Sequence, residues 1–181
     1  LVRHGESESN VDKNILRTKP NHLIELTAKG QQQAIDVGKR LKNSWDITRA
    51  DFIVSPHVRA RQTYQFIKES ISPVCNTEDF RVREVDIGNF IDDFEKIRKE
   101  RHIIGKFNYR FPNGESMADV AIRVKMFLID VIPTLFSDIP TIIVTHAGTM
   151  NVIKMLIENL TVEQFDNLPK PENCAIVSYS L

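Results

Sequence analysis

Residues 142–149 read IIVTHAGT: three apolar β-branched residues, then a threonine, a histidine and a small-residue segment containing a glycine. An apolar run without polar alternation marks a strand covered on both faces, which is how strands of a parallel sheet are buried. Beyond it Ile153, Leu156, Ile157 and Leu160 recur at helical spacing, so His146 stands where a strand ends and a helix begins. Leu1-Val2, Phe52-Ile53-Val54 and Ala175-Ile176-Val177 are runs of the same kind. They alternate with helical segments, which predicts an α/β fold, a three-layer αβα sandwich with a mostly parallel central sheet.

The helical segments carry their own signals. Thr27 is a helix N-cap before a stripe of Ala28, Ile35, Leu41 and Trp45, and a second helix carries Ala60, Thr63, Tyr64, Ile67 and Ile71. After the turn at Asn113-Gly114, Ser116 and Asp119 form a cap pair. They precede Met117, Val120, Ala121, Val124, Phe127, Leu128, Val131 and Leu135 at three- and four-residue steps. These stripes are core positions. The charged and aromatic stretch at about 89–112 reads as an insert over one end of the sheet, within a single domain covering 1–181.

Lys plus Arg and Asp plus Glu both number 24, so no overall field favours nucleic acid or a membrane surface, and any preference for anions has to be local. The two cysteines, Cys75 and Cys174, match no metal-ligand spacing and read as reduced thiols, which suits a cytoplasmic protein. No apolar run approaches the roughly 18 residues of a membrane span, and no signal peptide is visible. The chain begins at Leu1 within a strand-like run, from which residues ahead of it are expected.

Ligands of open α/β sheets bind at the carboxyl ends of the strands. Three such ends here run into Arg3-His4-Gly5-Glu6, into Ser55-Pro56-His57-Val58-Arg59-Ala60-Arg61, and into Thr145-His146-Ala147-Gly148. Arginine's planar fork matches phosphate oxygens, and a helix start offers further N–H donors to an anion. The pattern predicts a phosphate pocket. With no P-loop and no cysteine ahead of an arginine-ended loop, His4 is the candidate nucleophile, through a neutral imidazole that forms a phosphohistidine. Glu84, in REVDIG, is the candidate proton donor, with Asp86 second.

LVRHGE with Asn10, SPHVRARQT, REVDIG, PNGES and VTHAGT, in this order, resemble the histidine phosphatase superfamily, with its phosphoglycerate-mutase-like fold. The resemblance covers essentially the whole chain. It implies catalytic roles for His4, Glu84 and His146, phosphoryl binding by Arg3, Asn10, Arg59 and His146, and neither a metal nor an organic cofactor. It also implies a small phosphorylated substrate, with no nucleic-acid or membrane partner.

The superfamily holds phosphatases and mutases, and fold alone does not separate them. The segment before GES is shorter than the mutases carry, and Asn173-Cys174 looks phosphatase-like, so a phosphomonoester hydrolase is expected. A phosphoglycerate mutase is the alternative. A non-catalytic phospho-ligand binder and a metal hydrolase rank lower. His22, His57 and His102 read as solvated residues, and Arg61 as the partner of a surface carboxylate. Arg17, Arg83 and Arg110 read equally as leaving-group contacts or rim.

Overall fold

The computed structural model describes residues 1–88, 94–135 and 139–180. Its sheet has strands β1 (Val2–Arg3), β2 (Arg49–Val54), β3 (Ser72–Glu78) and β4 (Thr141–Thr145), ordered β1-β4-β2-β3. Every strand pairing is parallel, and Val2 and Val54 both register with Val144. The ladder runs one residue further, His4 N–H donating to Thr145 O and Ser55 N–H to Val144 O, each at 3.0 Å. His4, His146 and Ser55 are thereby brought to one edge.

The helices are α1 (Glu8–Val11), α2 (Ala28–Trp45), α3 (Val58–Ile67), α4 (Phe94–Ile104), α5 (Met117–Val131), α6 (Ala147–Ile157) and α7 (Val162–Asp166). Side chains alternate across the sheet, and this divides the layers. Phe52, Val54, Ile142 and Val144 pack against Ala34, Val37 and Leu41 of α2 and Ala60, Tyr64 and Ile67 of α3. Ile53 and Ile143 point the other way, onto Phe127 and Val131 of α5, and α5 in turn packs Val120 and Val124 against Val152 and Ile153 of α6. Phe52 and Phe127 are fully buried, and truncating either to alanine costs about 3–5 kcal/mol.

Thr27 caps α2 by accepting from Gly30 N–H at 3.0 Å, and the buried face of α2 is the expected one only in part. Leu41 is buried and Ile35 half-buried, but Ala28 and Trp45 are exposed, and Gly30, Ala34, Val37 and Gly38 complete the buried face. The backbone approaches too closely there for large residues, so the seam is made of small ones that an apolar count overlooks. On α5 the expected period holds as far as Val131, Leu135 lying beyond the helix, with Ser116 N–H donating to Asp119 Oδ2 at 2.7 Å and Asp119 N–H to Ser116 Oγ at 3.2 Å. Ile71 is buried but lies beyond α3, and Leu160 lies beyond α6.

Two strand assignments change. Ala175-Ile176-Val177 forms no strand; it makes one antiparallel bridge, Val2 to Ile176. Conversely, β3 is a strand that no apolar run announces. All its residues are exposed and it contains Pro73, as befits an edge strand paired on one side only.

Part of the expected insert, 89–93, lies outside the described residues. From the rest, Tyr109 and Phe111 are buried, meet edge to face at 5.4 Å, and join the cluster of α5 and α6. Among the described residues no helix is long and apolar enough to cross a membrane.

Candidate active site

Beyond β1 the chain turns at Gly5, where the first turn of α2 comes very close. A Cβ on Gly5 would stand 2.3 Å from Gly30 O, and one on Gly30 would stand 1.9 Å from Glu6 O. Only glycine fits either position, and their contact holds the turn that presents His4. Gly5 N–H also donates to Thr63 Oγ1 at 3.1 Å, and that hydroxyl donates to Arg59 O at 2.7 Å, which ties the turn to α3.

His4 is buried, with Nδ1 2.7 Å from Gly5 O. A carbonyl only accepts, so this contact assigns the proton to Nδ1 and leaves the lone pair on Nε2. Arg59 Nε–H donates to that Nε2 at 3.3 Å. Burial, then the charges of Arg59 and Arg3, hold the His4 imidazole well below its usual pKa, so it is neutral.

Arg59 is 4% exposed, and its other arm donates to Asn21 O at 2.6 Å. Burial lowers its guanidinium to about 10 against the opposing pull of Glu84, so it stays charged near neutral pH. Arg3 donates one arm to Pro171 O at 2.6 Å, and its buried Nε meets no acceptor among the described residues.

His146, at the N-cap position of α6, is fully buried with its ring centroid 5.1 Å from that of His4. Its Nε2 lies 2.7 Å from Ser55 Oγ, which itself accepts His57 N–H at 3.4 Å. The buried Ser55 hydroxyl has no other acceptor among the described contacts, so its proton goes to Nε2 and the imidazole proton sits on Nδ1. That Nδ1–H is buried without a partner. Burial, then Arg59 and His4, push the His146 pKa well below its usual value.

His57 is not the solvated residue expected. It is 7% exposed, its ring meets His146 edge-on at 4.9 Å, and burial followed by the charge of Arg59 takes its pKa down to about 3. Its position at the N-cap of α3 turns it inward beside the strand ends, a consequence of sheet geometry that no local pattern signals. His22 and His102 are exposed as expected.

Glu84 lies across the site against α6, its Oε2 accepting Gly148 N–H at 3.3 Å and its Oε1 accepting Val85 N–H at 3.0 Å. A Cβ on Gly148 would stand 2.6 Å from Oε1, so glycine leaves the space this carboxylate occupies. The surrounding backbone is pinned from three sides. Thr145 Oγ1 donates to Val82 O and Thr149 Oγ1 to Arg83 O, each at 2.6 Å, and Arg123 reaches Glu84 O at 3.3 Å.

Arg123 is in turn fixed by Glu115, at 3.0 and 3.1 Å, and Glu115 also takes Arg83 at 2.6 Å. Burial raises the Glu115 pKa, but hydrogen bonds from Arg123 and from the Asp86 N–H outweigh it and hold the carboxyl below its usual range. Asp86 accepts the Gly88 N–H at 2.8 Å. Arg83 is thus a brace, Arg110 pairs with Asp119, and Arg61 pairs with Glu78 at 2.6 Å.

Asn10 stands at the exposed margin. Its Oδ1 accepts from Ser7 N–H and Asn173 Nδ2, at 3.1 and 2.9 Å. Sequence reasoning assigned no role to Ser55, His57, Glu115 or Arg123. Ser55 was open to discovery as the residue directly after β2, and Glu115 as the acid of the GES block. No three His, Cys, Asp or Glu side chains among the described residues stand close enough to share a metal ion.

A model of the histidine phosphatase superfamily, branch 1, matches residues 1–181. The chain belongs to the histidine phosphatase superfamily. Within this superfamily it is 38% identical to the phosphoglycerate mutase-like protein AT74 of Arabidopsis thaliana, over 97% of the chain and 62% of that relative. It therefore spans under two thirds of that relative's length. It is 27% identical to the broad-range acid phosphatase DET1 of Saccharomyces cerevisiae, over the whole chain and 84% of that protein. Among solved structures, a mycobacterial glucosyl-3-phosphoglycerate phosphatase shares the fold with a TM-score of 0.76 at 21% identity, over 96% of this chain and 84% of that one.

Proposed function

We propose that this superfamily member hydrolyses small phosphomonoesters through a phosphohistidine on His4. The observation that carries the reading is the Nδ1 contact with Gly5 O, which leaves the lone pair on His4 Nε2, while the neighbouring Arg3 Nε and His146 Nδ1 are buried without a hydrogen-bond partner among the described residues. A phosphoryl group supplies oxygens to both donors and to Arg59, whose bond to His4 Nε2 gives way as the ester enters. Asn10 borders this phosphoryl site.

Nε2 then attacks phosphorus, the ester P–O bond breaks, and Glu84 in its protonated form gives its proton to the departing oxygen. In the second half water attacks phosphorus, the P–N bond breaks, Glu84 takes back a proton, and phosphate leaves. His146 and the arginines hold the equatorial oxygens throughout, where negative charge accumulates. His146 is electrostatic in this scheme, since Ser55 occupies its other nitrogen.

The chain works as one domain; the docking of Tyr109 and Phe111 on α5 and α6 supports this, since it ties the described end of the insert to the rest of the fold. Free thiols at Cys75 and Cys174 and the balanced charge support a cytoplasmic setting and a small-molecule partner, not nucleic acid or a membrane. The deciding experiment is rapid quench with labelled p-nitrophenyl phosphate. Acid-labile, alkali-stable label on His4, decaying with release of inorganic phosphate and lost in His4→Ala, is expected. Turnover without such label overturns the covalent step, and transfer to 3-phosphoglycerate in place of phosphate release means a mutase.

A further inference from the structure

Next to the phosphoryl site lies a cleft of about 220 Å³ lined by Arg3, Ser9, Asn10, Lys13, Lys170, Pro171, Glu172 and Asn173. One wall is the chain around α1, the other is the 170–173 segment, and buried Arg3 belongs to both this cleft and the His4 site. Three cations therefore share a small space with one carboxylate, Glu172. Some other surface lysines take carboxylate partners: Lys19 pairs with Glu8 at 2.7 Å, Lys29 with Glu6 at 2.8 Å and Lys154 with Glu158 at 3.0 Å. Among the described residues neither Lys13 nor Lys170 forms an ion pair, with Glu172 or with any other carboxylate.

With Arg3, Lys13 and Lys170 against the single carboxylate of Glu172, the cleft carries an excess of positive charge that an anion relieves. Burial, then the charge of Arg3, lower the Lys170 pKa against the opposing pull of Glu84 and Glu172. Lys170 also lies in the electrostatic field of Glu84 and acts on His4. The cleft shares Arg3 and Asn10 with the phosphoryl site, so a leaving group extends into it.

We propose that Lys13 and Lys170 form a second anion subsite, so that the favoured substrates are phosphomonoesters whose leaving group carries another anionic group, a carboxylate or a second phosphate. The inference rests on the phosphomonoesterase reading for its substrate, but the subsite itself is a binding property and can be tested without turnover.

Steady-state phosphate release is compared for two matched pairs, 3-phosphoglycerate with glycerol 3-phosphate and fructose 1,6-bisphosphate with fructose 6-phosphate. The parent protein is expected to favour one or both anionic members by about tenfold or more in kcat/KM, and Lys13→Gln/Lys170→Gln to lose that ratio. The first pair reports a carboxylate, the second a phosphate. Lys13→Arg/Lys170→Arg keeps the charge and is expected to retain the preference, which separates charge from folding. No preference in the parent, or a ratio that survives in the glutamine variant, overturns the subsite. If the parent hydrolyses none of the four, the hydrolase reading fails and the subsite is read by calorimetry. Tighter binding of an anionic member, lost in the glutamine variant, then upholds it, and equal affinity within both pairs overturns it.

Discussion

Arg59 donates its Nε–H to Nε2 of His4 across 3.3 Å, so a group charged near neutral pH covers the nitrogen proposed to attack phosphorus. The same charge helps keep that imidazole neutral. An incoming phosphoryl group replaces this contact with a stronger one, arginine to anion, and frees the lone pair in the same motion.

Arg59→Met is therefore expected to weaken inhibition by vanadate about 10- to 100-fold, the usual worth of a charge-assisted hydrogen bond in a buried site. Inhibition constants measured with p-nitrophenyl phosphate check this. Unchanged inhibition would place the anion away from Arg59.

Glu84→Gln removes the proposed proton donor. Alkyl phosphates are expected to slow by about 10² to 10⁴, and p-nitrophenyl phosphate far less, because its phenolate departs without help. Gly148→Ala makes a parallel test, since its Cβ would meet only flexible side-chain ends, Glu84 Oε1 at 2.6 Å and Met117 Cε at 2.8 Å, and not the backbone. It should fold normally and show the same dependence on leaving group.

Ser55→Ala takes away the hydroxyl that sets the His146 tautomer across 2.7 Å. Phosphate binding is expected to weaken about 10-fold or more, since the Nδ1 proton that faces the anion is no longer assured. Nitrogen-15 chemical shifts of the His146 ring report the tautomer directly; a protonated Nδ1 persisting in the variant would show that Ser55 does not set it.

His4, His57 and His146 all titrate lower in the folded chain than an unfolded histidine, near 6.5, with His57 at about 3. Below about pH 6.5 the unfolded state binds more protons, so stability is fullest above that pH and falls as the medium is acidified. The loss is up to about 1.4 kcal/mol per pH unit for each histidine. Urea unfolding at pH 7.5 and 5.5 in phosphate-free buffer checks the sign, and His57→Gln should make the decline shallower.

The sequence by itself carried the alternation of apolar strands and capped helices, which determines the layers, and the blocks around His4, Arg59, Glu84 and His146, which mark three strand ends and one loop. Those signals are local: a buried parallel strand must be apolar throughout, and a helix start must satisfy its free N–H groups. The edge strand Ser72–Glu78 escaped notice because a strand paired on one side needs no apolar run. The small-residue seam of α2 escaped because close backbone approach selects glycine and alanine where an apolar stripe was sought.

Tertiary structure alone decided which way His57 turns, which nitrogen of His4 and of His146 keeps its proton, and that Glu115 and Arg123 brace the Glu84 backbone. It also decided that Lys13 and Lys170, 157 positions apart, face one cleft. Each of these depends on groups that meet only when the sheet register aligns the ends of β1, β4 and β2. A hydrogen bond or an unpaired charge is a relation between distant residues, and no pattern within a short stretch of chain encodes it.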